Sequence, residues 1–81
     1  MTLKRRMEID LNAEEEARTI LDWHMSGRRE MMGDVEIYGI NCPENIILDE
    51  RELFYEMVIQ HLETRGYKTM RHFDYVSILR Q

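Results

Sequence analysis

The residues able to do chemistry in this chain are few: one cysteine, Cys42, and three histidines, His24, His61 and His72, among sixteen carboxylates. A thiol nucleophile needs a neighbouring base or a helix N-terminus to hold it as thiolate. Cys42 sits in "NCPEN", a turn-forming stretch with neither nearby. Zinc sites need closely spaced ligands, and no two of the histidine and cysteine residues stand at such a spacing; there is also no H-E-x-x-H. In "HLE" the ring of His61 and the carboxylate of Glu63 fall on different sides of a helix. His61 lies beside Met57, Val58 and Leu62, where a hydrogen-bonded core histidine is the simpler assignment. Glu14, Glu15 and Glu16 crowd an expected first helical turn, where the helix dipole accounts for them. The four glycines are isolated, so no phosphate-cradling loop or dinucleotide fingerprint forms. Catalysis, a metal and a cofactor are not expected.

Binding is a different matter. "LDWHMSGRREMMG", residues 21–33, holds the only tryptophan, two adjacent arginines and two adjacent methionines. Trp23, Arg28, Arg29, Met31 and Met32 are therefore candidates for a protein-binding surface, methionine being suited to adaptable contacts. The plainer alternative is the end of a helix: Leu21 and His24 continue a buried stripe, Gly27 stops it, and Arg28 and Arg29 meet its negative pole.

These side chains depend on the elements that carry them. Leu3, Arg5, Met7, Ile9 and Leu11 alternate with charged residues, which predicts a first strand with one buried face. Asn12 with Glu15 forms a capping-box pattern that predicts a helix from about 12 to 26. "VEIYGI" (35–40) reads as a strand, "NCPEN" as a turn and "IIL" as a short further strand. Asp49 with Glu52 opens a second helix that Gly66 ends. Leu53, Phe54, Tyr55, Met57, Val58, Ile59 and Leu62 cover an arc of roughly 200° on that helix, wider than one packed side requires. Its margin at Tyr55 and Ile59 is the expected edge for self-association. "YKTMR" and "YVSILR" read as two strands around "HFD", or as one bent strand. Both faces of residues 75–79 are largely apolar, so that strand should be central or covered by an oligomer contact.

The order β-α-β-(β)-α-β-(β) predicts a small α+β two-layer sandwich. Two helices would lie on one face of a largely antiparallel sheet of four to five strands, and a ferredoxin-like split βαβ fits length and order best. A rival topology ends in a C-terminal hairpin with "IIL" as loop. The 81 residues fit a single compact domain, 1–81.

Composition narrows the setting. A lone cysteine excludes an intrachain disulfide and suits a reducing compartment, so a soluble cytoplasmic protein is expected. The net charge of −5 disfavours non-specific nucleic-acid binding. It is unevenly spread, because residues 44–63 hold six acids and one arginine whereas 64–81 hold four bases and one acid. A basic open sheet face carrying Lys4, Arg6, Lys68 and Arg71 is therefore the alternative, a nucleic-acid-binding domain. The apolar excess on so small a chain points more strongly to protein contacts. The expectation is a non-enzymatic protein-interaction module that binds another protein and forms a homodimer. Size and acidity suit a small regulatory or inhibitory accessory protein, of the kind a virus directs at a host factor.

Overall fold

The computed structural model describes residues 1–26, 30–32 and 35–79. The Thr2 hydroxyl accepts the Arg5 N–H at 3.1 Å, satisfying one of the donors a helix start leaves open. From there α1 (Leu3–Ser26) runs 24 residues, with neither glycine nor proline to interrupt it. Ile9, Ala13, Ala17, Ile20 and Leu21 are its buried residues, one stripe at helical spacing.

This overturns the expected strand at Leu3–Leu11. Leu3, Met7 and Leu11 recur every fourth residue and stay exposed, whereas Ile9 is fully buried and Arg5 turns toward the second helix. An alternation of nine residues cannot tell a strand from a helix that places side chains of both kinds on opposite sides. Nor is Asn12 a cap: its amide donates to the Glu8 carbonyl at 2.8 Å, inside the helix.

After α1 come β1 (Glu30–Met32) and β2 (Val35–Gly39). A single 3-10 turn, Leu48–Glu50, leads into α2 (Arg51–Thr64), so "IIL" approaches a helix and is not a strand. Gly66, at φ +92°, ends α2. Its N–H bonds the Glu63 carbonyl at 2.9 Å and the Tyr67 N–H bonds that of Leu62 at 3.3 Å, a Schellman closure. The chain then forms the hairpin β3 (Thr69–His72) and β4 (Tyr75–Leu79).

All strand pairs among the described residues are antiparallel. The body of the sheet is three strands in the order β2-β4-β3, and β1 adds a three-residue ladder outside β2. The fold is a small α+β arrangement of order α-β-β-α-β-β. The expected ferredoxin-like sandwich with a sheet of four to five strands is thereby corrected. It requires a leading strand and parallel neighbours joined through a helix; residues 3–11 are helical and no described pair is parallel. The C-terminal hairpin of the rival topology, with "IIL" outside the sheet, is what is seen, and β4 is an interior strand as expected of residues 75–79.

The core lies between the helices and one face of the sheet. Register places Glu36 opposite Ile78 and Tyr38 opposite Val76, and these four buried residues face the helices. From α2 come Phe54, Tyr55, Met57, Val58 and Leu62. The helices run in the same direction, with Arg5 bonded to Glu50 near both starts and Asp10 to His61 farther along. Ala13 and Ala17, fully buried, allow close helix packing.

The Arg5 link is a two-point clamp. Its Nε donates to Glu50 Oε2 at 2.7 Å and a terminal nitrogen to Oε1 at 2.5 Å. Glu50 Oε1 also accepts the Ile47 N–H at 3.1 Å. The Arg5 bonds, outweighing desolvation, hold the Glu50 carboxyl at about 2 instead of 4.5. A depressed carboxylate contributes stability that is complete above its unfolded value and lost as pH falls through the folded one. The melting temperature should therefore drop as pH falls from about 4.5 to about 2. Glu50→Gln should melt lower than wild type at neutral pH, and that gap should narrow across this window. Melts by circular dichroism check this; a gap independent of pH would remove Glu50 as the source.

Candidate protein-interaction surface

Opposite the core, the sheet presents a second face. The pairings His72–Tyr75, Met70–Ser77, Ile37–Ser77 and Gly39–Tyr75 place these residues together on it. Met70 is 52% exposed, Tyr75 is 38% exposed, and the His72 and Tyr75 rings stack at 4.9 Å. Phe73, at the tip of the hairpin, is 77% exposed. Phe73 also has φ +25°, a left-handed backbone that bulky side chains rarely adopt. A two-residue turn with positive φ at its first central position ordinarily takes glycine there. An exposed phenylalanine thus occupies a strained position, with no burial in the chain to compensate.

The expected basic sheet face is not assembled. Lys4 and Arg6 are on α1, not on a strand. Arg71 turns to the helix side, donating to Glu52 at 2.8 Å and lying 5.3 Å from the centre of the Tyr55 ring. Lys68 is exposed just before β3.

Of the remaining expected binding residues, Trp23 stands on α1 and Tyr55 and Ile59 on α2. Trp23 is half-buried and packs against the core from α1. Arg28 and Arg29 lie outside the described residues; Met31 and Met32 are in β1, and their side chains likewise lie outside what is described. Tyr55, only 6% exposed, belongs to the core and presents no free edge, while Ile59 is half-buried beside it. The wide apolar arc of α2 has a simple cause: α1 covers one side and the sheet another.

A cluster that sequence reasoning missed joins α1 to β2. The side chain of Glu36, 7% exposed, accepts from His24 Nδ1 and from the Tyr38 hydroxyl, the latter at 3.1 Å. The His24 ring meets the edges of Tyr38 and Tyr67 at 5.9 and 5.5 Å. An adjoining cleft of about 450 Å³ is lined by His24, Glu36, Arg65, Gly66, Tyr67, Ile78 and Leu79. This is the geometry of an oriented imidazole. Among the described lining residues no hydroxyl or thiol nucleophile of the serine or cysteine type accompanies it. The sequence signal was the place of Glu36 in register with Tyr38 and Ile40, the buried side of "VEIYGI".

Cys42 is half-buried, and burial pushes its thiol up despite an opposing effect of Arg51. It is thus held as the weakly nucleophilic thiol. Among the described residues no helix is long and apolar enough to cross a membrane, and no three potential ligands converge as a metal site would need. Compared with protein-family models, curated proteins and solved structures, the chain matches none.

Proposed function

We propose that this chain is a protein-interaction module without catalytic activity, acting on another protein as a small regulator or inhibitor through the outer face of its sheet. The carrying observation is Phe73, an exposed aromatic held at positive φ on the hairpin tip beside Met70 and Tyr75. Strain persists where the surroundings impose it, and an exposed aromatic anchor is the kind of group that dominates interface energetics. The Arg71 guanidinium, within 3.4 Å of the Phe73 carbonyl, supports this turn from behind.

Phe73→Gly separates the two roles. Glycine relieves the strained backbone, so stability should rise by about 0.5–1 kcal/mol. Binding should weaken at least about tenfold, as loss of an aromatic anchor does. Wild-type and variant baits, cross-linked in lysate of the source cells and quantified by mass spectrometry, should differ in a discrete set of proteins that only wild type retains. Equal recoveries from both would refute the assignment of the hairpin, and a fall in stability would make Phe73 a structural residue.

A further inference from the structure

The N-terminal half of α1 carries a second apolar surface, separate from the hairpin. Leu3, Met7 and Leu11 are 74%, 59% and 65% exposed and follow one another at four-residue intervals. At about 100° per residue they form a short stripe on the side of α1 turned away from Ile9, Ala13 and Ala17.

The charges around this stripe have a direction. Lys4 and Arg6 precede Met7, and Glu8 and Asp10 follow it. Counting outward from Met7, a base at one and three residues before is answered by an acid at one and three residues after. Leucines stand four residues away on both sides. A parallel second helix would set Lys4 near Lys4 and Asp10 near Asp10. An antiparallel one, related by a two-fold axis beside Met7, sets Leu3 against Leu11 and bases against acids. In such a self-complementary contact every pairing occurs twice.

We propose that this stripe is a homodimer interface, with a second copy of the chain packed antiparallel along residues 3–11 of α1. Glu8 and Asp10 already bond Arg5 at 3.2 Å and His61 at 2.8 Å. Their side chains remain 46% and 50% exposed, which leaves room for a cation from the second copy. Self-association is thereby assigned to α1 and not to the expected edge at Tyr55 and Ile59. The contact is short, about 12 Å along the helix, and well below a standard interface in area. The dimer is accordingly weak, concentration-dependent and weakened by salt.

Sedimentation equilibrium over a wide concentration range should show monomer and dimer in exchange, with dimer favoured at low salt. Met7→Asp places like charges across the two-fold axis, and Lys4→Glu with Arg6→Glu places acids against acids. Each should weaken the dimer at least about tenfold while leaving helicity and melting unchanged, because these side chains are exposed. In a Cys42→Ser background, mixed Leu3→Cys and Leu11→Cys proteins should oxidise mainly to the mixed disulfide. A chain monomeric at every concentration overturns the proposal, as does a dimer that both charge variants leave intact. Preferential self-linking of Leu3→Cys overturns the antiparallel arrangement. Phe73→Gly should leave the dimer unchanged, so this proposal and the hairpin reading fail separately.

Discussion

Phe54→Ala is expected to destabilise the fold by about 3–5 kcal/mol, the range for removing a buried aromatic side chain. Phe54 is fully buried on α2, its ring tilted against Tyr55 at 5.9 Å, in the cluster that also holds Ile9 and Ile20 of α1 and Val76 of β4. Truncation removes both its transfer energy and contacts that the surroundings cannot restore by collapsing. An 81-residue chain has a stability of only about 4–12 kcal/mol, so this one change consumes a large part of it. Urea unfolding followed by circular dichroism should show a lower midpoint with an unchanged slope. A loss under about 1 kcal/mol would mean that the core is not centred on α2.

Glu36→Ala should be the next most damaging change, at about 3 kcal/mol, because it breaks a buried charged network from one side. The carboxylate receives both the His24 Nδ1–H and the Tyr38 hydroxyl, so alanine removes the shared acceptor of two bonds and leaves a void. Glu36→Gln keeps an acceptor oxygen and should cost clearly less. The double replacement Glu36→Leu with His24→Leu should recover much of the loss, since a packed apolar pair can substitute for a buried polar one. Chemical denaturation of the three variants checks the ordering. If alanine and glutamine cost the same, the effect lies in the charge and not in the geometry of the bonds.

The network bears on the proposed docking face as well as on stability. It ties the C-terminal end of α1 to β2, whose other face belongs to the proposed docking surface. The Arg71–Glu52 pair does the same from α2 to β3, the edge strand of the hairpin. The exposed tip at Phe73 is thus presented on a sheet anchored to both helices, which limits the entropy lost when a partner binds.

Legibility followed the range of the interactions. The second helix could be read because its apolar residues recur at helical spacing and Gly66 supplies the left-handed stop, both local properties. The central place expected of residues 75–79 is found, with β2 and β3 paired along the two edges of β4. The first eleven residues were not readable in this way. Leu3, Arg5, Met7, Ile9 and Leu11 satisfy a strand pattern, and the residue that decides otherwise, Arg5, finds its partner Glu50 at a sequence separation of 45. Thr2 as N-cap was the local signal available, but the capping-box pattern at Asn12 competed with it.

The proposed surfaces divide along the same line. Composition and spacing by themselves determined the run of α2 and its end, and the presence of more apolar side chains than one helix face can hide. Tertiary structure alone decided which of those side chains are hidden. Tyr55 is taken into the core under Arg71, while Leu3, Met7, Leu11 and Phe73 are left at the surface. Burial depends on what packs against a side chain, and for these residues the covering element is either distant in sequence or absent from the chain's own fold.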